Sequence, residues 1–307
     1  MPLMYALLII IVGIISPLYL IYKPPTLLIH YFQRRWPDIL WLAPPSSSSS
    51  TTNKTTTKTN KKPIIALTID DGPSPYTSEI LQILKANDAT ATFFLIGSNI
   101  TDKNTNKKKG TGTGTVTETL HNLIHAGNEL ANHAMHDEPS WRLSVAELIT
   151  QIKSVERQIQ HIYHSAYDGK AKTKTTTTTN DHGDDDIPSS LPLPLPRAAA
   201  AAAATTEPPK PPRYFRPGSG FFTTRMRRAL AALDYKLVLG SVYPHDAQMP
   251  FSRVNAHHVL DMVKPGAIVI CHDGRSWTAP MLRLVLPELR RRGYRVVTVT
   301  ELLREYR

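Results

Sequence analysis

Five short stretches hold the residues that can do chemistry. In "ALTIDDGPSPYT" an apolar run ends on two adjacent carboxylates, Asp70 and Asp71, just before a Gly-Pro turn. Neighbouring like charges disfavour one another unless a positive group lies close to both. "NHAMHDEPS" supplies His133 and His136, "YFRPGSG" supplies Arg216, "SVYPHDAQ" supplies Asp246 and "VICHDG" supplies His272. One aspartate with two imidazoles is a ligand set for a divalent cation, and three protein ligands leave a position open for water, as catalytic sites do. Two nitrogens and one oxygen suit Zn2+, and cobalt, nickel or iron would also fit. One carboxylate of the pair would then bind the cation. The other stays ionised and can accept a proton from a water whose pKa the cation lowers to about 7. A plain reading stands beside this one: the Asp pair as a surface turn, the histidines without metal, and Arg216 with Asp246 as a structural rim salt bridge.

These stretches must be brought together by the elements that carry them. Pro63–Ile69 reads as a buried strand, and further strands are expected at "ATATFFLIG", "GNELANH", "RYFRP", "YKLVLG", "GAIVICHD" and "YRVVTVT". Between them lie helical patterns near Tyr76 and over 116–126, 144–163, 223–233, 252–263 and 279–292. Strand–helix alternation of this kind indicates a parallel sheet with helical cover. The fold class expected is α/β, a distorted (β/α) barrel of about seven parallel strands, with a doubly wound open sheet as the alternative. Each polar stretch falls at the carboxyl end of an expected strand, and in such a barrel those ends share one rim.

Composition bounds the rest. A 307-residue chain that is 41% hydrophobic can bury a large core. The net charge of +11 comes largely from Lys in low-complexity stretches such as "TDKNTNKKKGTGTG", which have no interleaved aromatics. That pattern argues against nucleic-acid binding, which concentrates charge on a folded face. The single cysteine, Cys271, permits no intramolecular disulfide. "LMYALLIIIVGIISPLYLIY" is apolar and uncharged, and as a helix it would span roughly 30 Å. The expected organisation is therefore a membrane anchor at 1–23, a juxtamembrane segment and polar linker at 24–62, and a catalytic domain at 63–307. That domain carries insertions at about 102–115 and 168–212. Lys23, Arg34 and Arg35 after the span favour a cytosolic domain, whereas the sequons at Asn53 and Asn99 point the other way. The insertions lack amphipathic periodicity and read as disordered or extended. Nothing in the chain calls for an obligate protein partner, and no carbohydrate-binding repeat is present.

From the Asp pair onward the chain resembles the NodB-homology polysaccharide deacetylases, carbohydrate esterase family four, which includes chitin deacetylases. The resemblance covers about 63–307 apart from the insertions. "TIDDGPS", "NHAMHDEPS", "YFRPGSG", "SVYPHDAQ" and "VICHDG" follow the order of the family's five motifs. The match implies Asp70 as catalytic base, Asp71, His133 and His136 as metal ligands, Arg216 beside the base, His272 as acid and Asp246 as its orienting partner. It implies hydrolysis of N-acetyl groups on an amino-sugar polymer or oligomer, chitin-like or peptidoglycan-like, with the domain on the secretory side. Two departures stand out. His133 and His136 are three apart where the family has four, and the fourth motif lacks its tryptophan; Asp137 is a further donor, and Tyr243 or Trp277 a substitute for the ring. The same fold and metal would also serve a small amide or ureide, and an inactive membrane-tethered glycan-binding module is the non-enzymatic alternative.

Overall fold

The computed structural model describes residues 2–44, 62–101, 115–174 and 208–307. Eight strands form one sheet: β1 (Ile39–Leu40), β2 (Ile64–Gly72), β3 (Thr92–Leu95), β4 (Glu129–Asn132), β5 (Tyr214–Phe215), β6 (Lys236–Val238), β7 (Ile268–His272) and β8 (Arg295–Val297). Their order is β1-β6-β5-β4-β3-β2-β7, with β8 also paired to β2. Every strand pair is parallel. The result is a parallel α/β half-barrel, and β2 to β8 are the seven strands read from the sequence.

The central strand explains the architecture. Ile64, Ile65, Leu67 and Ile69 of β2 are all buried, because a parallel strand is covered on both faces and needs no polar side. The covering helices present the complementary stripe: Ile80, Leu81 and Leu84 from Thr77–Ala86, and Leu282, Val285, Leu286 and Leu289 from Thr278–Arg291 are buried. Helix starts are set locally. Ser144 and Glu147 cap each other's backbone N–H groups ahead of the Val145–Lys174 helix, a reciprocal capping box. Thr223 and Thr298 cap the helices Thr224–Ala232 and Val299–Glu305 through their side chains.

The sequence reading has no counterpart for β1. Residues 39–40 pair with 237–238 of β6. Leu42 then bridges Ala267, just ahead of β7, and Val242 bridges Val269. The two edges of the sheet, β1 and β7, are thereby drawn together, so residues ahead of position 63 belong to the barrel wall.

Pro2–Tyr22 is helical and is followed by a second helix, Thr26–Arg35. Among the described residues no helix is long and apolar enough to cross a membrane, so the expected single-pass anchor is not supported. The end of the first helix instead docks on the domain. Tyr22 stacks on His245 at 5.1 Å and meets His258 edge-on at 4.7 Å, and Lys23 Nζ lies 2.9 Å from Asp261. The polar linker, the sequon at Asn53 and most of both insertions lie outside the described residues. What is described at their borders is the long helix continuing to Lys174 and an irregular run from 208 into β5.

Candidate active site

Asp70 and Asp71 stand at the carboxyl end of β2, paired in register with β7 so that Asp70 lies opposite His272. Asp70 is 3% exposed. Its Oδ1 accepts from Arg216 Nη1 at 2.5 Å. Arg216 is itself 2% exposed and also donates to Thr68 Oγ1 and to the carbonyls of Val238 and Leu239. The guanidinium lies 4.2 Å from the centre of the Phe94 ring. A buried carboxylate fixed by a guanidinium is positioned to accept a proton.

Asp71 departs from the strand path, with φ of 66°, a left-handed conformation that costs a non-glycine residue free energy. Asn99 Nδ2 donates to its carbonyl oxygen at 3.0 Å, so the Asn99 amide is engaged in shaping this turn. The turn aims Asp71 at a different partner set from Asp70. Its Oδ1 is 3.4 Å from His133 Nε2 and its Oδ2 is 3.4 Å from Arg275 Nη2. Burial raises the Asp71 carboxyl, but His133, His272 and Arg275 outweigh it and hold the group below the usual carboxylate range.

His133 follows β4 and is 5% exposed. Its Nδ1 lies 2.7 Å from the Arg216 carbonyl oxygen. That bond makes Nδ1 a donor and points Nε2 at Asp71, the orientation of a metal-ligating imidazole. Burial lowers the His133 imidazole, but Asp71 and Asp70 outweigh it and raise it above its ordinary value. Asp71 and His133 thus fit two positions of a divalent cation. His136 does not join them: it is exposed and absent from the cleft wall, which Asp137 and Glu138 line instead. The reason is backbone shape. The spacing of three would share a face on a helical turn, but Ala134 is left-handed at φ 65° and residues 135–138 form a bend. Among the described residues no group of three His, Cys, Asp or Glu converges to hold a metal ion.

His272 closes β7. Its Nδ1 is 2.8 Å from Asp246 Oδ1, and its backbone N–H donates to Asp246 Oδ2 at 2.8 Å. Asp246 is fully buried and receives no contact from Arg216, so the two residues that a rim salt bridge would have joined belong to different pairs. Burial alone would lower the imidazole, but the Asp246 hydrogen bond and the nearby carboxylates raise it to about 9. A histidine raised in this way is protonated below its ordinary value near 6.5 and loses its charge as pH rises through about 9. An activity that needs His272 as a proton donor is expected to show an alkaline limb no higher than about pH 9. Asp246→Asn, which removes the raising partner, is expected to move that limb down by about 1–2 pH units. A pH–kcat profile of the two proteins checks this, and an unmoved limb assigns the titration to another group.

Asp70, Asp71, His133, Arg216 and His272 line one cleft of about 620 Å³, together with Trp41, Phe221, Tyr243, Ile270 and Arg275, whereas Asp246 and His136 do not. Sequence reasoning missed several residues that build or support this cleft. Asp273 is buried and accepts from Ser74 Oγ and Thr77 Oγ1, while its N–H donates to the Asp70 carbonyl at 2.7 Å. It ties the end of β7 to the Gly-Pro turn. The signal was present in "HDG" and "DGPSPYT", since a carboxylate next to a strand-end histidine needs hydroxyl partners when buried. Arg275 and Trp41 carried no local signal. Trp277 points its Nε1–H to the Asp246 carbonyl, which supports the His272 partner.

The strand-end rim of this parallel half-barrel brings together an Arg-bound carboxylate, an Asp–His pair and an Asp-bound imidazole, as the resemblance to the NodB-type deacetylases implied. The comparisons agree. A family model described as polysaccharide deacetylase matches residues 57–173. A peptidoglycan-N-acetylglucosamine deacetylase of Bacillus cereus is 30% identical over 251 residues, covering 80% of this chain and 90% of that one. A chitooligosaccharide deacetylase of Bradyrhizobium is 24% identical over 253 residues, covering 78% and 90%. In structure, a peptidoglycan deacetylase of Bacillus subtilis superposes with a TM-score of 0.54 at 23% identity, covering 80% of this chain and 92% of that one. The chain belongs to the polysaccharide deacetylase family, hydrolases that act on carbon–nitrogen bonds other than peptide bonds.

Proposed function

We propose that the protein removes N-acetyl groups from an amino-sugar polymer or oligomer, and that Asp70 and His272 are its base and acid. The observation that carries the reading is the separation of protonation roles across one cleft: a carboxylate locked to a guanidinium on β2, and an imidazolium locked to a carboxylate on β7. A carboxylate and an imidazole given opposite partners across one cleft suit a base and an acid. Asp70 takes the proton of the attacking water. His272, bound to Asp246 through Nδ1, uses Nε2 to protonate the leaving amine, which is otherwise a poor leaving group. Arg216 holds Asp70 in place. Asp71 and His133 would hold the divalent cation, which when bound supplies Lewis acidity toward the amide carbonyl and lowers the pKa of water. Zn2+ suits the N and O donors, with Co2+ also compatible. The substrates named for the Bacillus and Bradyrhizobium relatives support N-acetylated glycans as the substrate class.

The test is acetate release from N-acetylglucosamine oligomers and from small cyclic ureides, with and without a chelator. Acetate is expected from the oligomers alone, abolished by chelation and restored by Zn2+ or Co2+. Turnover of ureides without acetate release would replace the proposed substrate, and chelator-resistant acetate release would remove the metal from the reaction.

A further inference from the structure

The segment ahead of the family-like domain places a tryptophan in the cleft. Trp41 follows β1 directly, where Leu239 N–H donates to the Leu40 carbonyl, and it lines the cleft beside Leu239, Ile270 and Phe221. An aromatic group fixes it there. Its ring centre is 5.0 Å from Phe32, 6.3 Å from Trp36 and 6.2 Å from Phe222. Phe221, next in the chain to Phe222, is 69% exposed and lines the same cleft. Leaving a large apolar ring in water forgoes the gain of burial. The Trp41 Nε1 is buried without an acceptor among the described residues, and such an orphaned donor also weakens the fold. Phenylalanine would fill the wall without that penalty. Two aromatic rings are therefore kept in the lining of one reactive cleft against folding stability, as expected of binding residues.

Resting on the deacetylase reading, we infer that Trp41 and Phe221 form an aromatic wall that packs against the apolar C–H face of a pyranose ring. They are specificity-determining residues that make the enzyme prefer sugar-bearing substrates over bare acetyl compounds. Aromatic rings supply large contact area with little flexibility to lose, and ligand clefts are commonly lined this way with a few polar groups for orientation. The residues ahead of position 63 then contribute to substrate recognition, since β1 is what carries Trp41 to the rim.

The experiment uses the full chain, metal-loaded, with N-acetylglucosamine tetramer and with ethyl acetate, which carries no ring for the wall to stack. Phe221→Ala and Trp41→Ala are expected to raise KM for the tetramer about tenfold with kcat within about twofold, and to leave kcat/KM for ethyl acetate unchanged. Trp41→Phe, which keeps a ring and removes the orphaned N–H, is expected to retain the wild-type KM. Unchanged tetramer KM in Phe221→Ala overturns the inference, as does an equal loss on both substrates or a loss in Trp41→Phe matching that in Trp41→Ala. Should Trp41→Ala fail to fold, the exposed Phe221 and the ring-preserving variant still carry the test. Wild-type protein that turns over ethyl acetate but not the tetramer instead removes the deacetylase reading itself.

Discussion

Asp70→Asn is expected to lower kcat for acetate release by about 10²–10⁴-fold, the range lost when a positioned general base is removed, while the protein still binds a divalent cation. The separation follows from the geometry. Asp70 is bonded to Arg216, and its neighbour Asp71 faces His133. An asparagine at 70 keeps an oxygen that accepts from the guanidinium, so the side chain stays in place and only its capacity to take a proton is removed. Bound metal measured by elemental analysis should match wild type. The same loss in Asp71→Asn should arise differently, through lost metal. If Asp70→Asn released acetate at the wild-type rate, the base would have to be sought elsewhere on the rim. If it lost metal as well, the roles of the two aspartates would be exchanged.

Arg216→Met is expected to cost about 3–5 kcal/mol of folding stability, the range for breaking a buried ion pair by removing one partner. Three consequences add in one direction. The Asp70 carboxylate is left without its counter-charge at 3% exposure. The Val238 and Leu239 carbonyls lose their donors. The Phe94 face loses the guanidinium that lies over it. Arg216→Lys keeps the charge but has no planar fork with which to serve Asp70, Thr68 and two carbonyls together, so it should restore only part of the loss. Denaturant unfolding of the three proteins measures this, with the midpoint shift read at constant slope. A double variant, Asp70→Asn with Arg216→Met, should lose less than the sum of the singles, because both members of one pair are gone. Strict additivity would show that the pair is not coupled.

The fold was legible because its strands are hydrophobic runs bounded by turns, and β2 is buried along its length on both faces. Such a pattern needs no tertiary information to be read. The Asp70, Asp71, Arg216 and His272 positions were legible for a related reason: strand ends on a parallel sheet share one rim, so a polar residue after each apolar run already predicts convergence. His136 shows where that logic stops. Spacing along a chain fixes direction only on a regular element, and the left-handed Ala134 breaks the turn on which the spacing of three depended. Arg216 and Asp246 show another limit. Charge type predicts that each needs a partner but leaves open which, and burial of Asp70 beside one and His272 beside the other made the choice.

The amino-acid sequence alone determined the family, the seven parallel strands and the carboxylate and imidazole chemistry of the rim, because these rest on local hydrophobic pattern and residue type. Tertiary structure decided that Asp70 meets Arg216 and Asp71 meets His133, that His136 stays outside the cleft wall and that Asp273 secures the turn. It also decided that Trp41 enters the cleft from ahead of the domain and that the first helix ends against His245 and His258. Each of those outcomes depends on contacts between residues distant in the chain, and such contacts exist only once burial has brought the strands together.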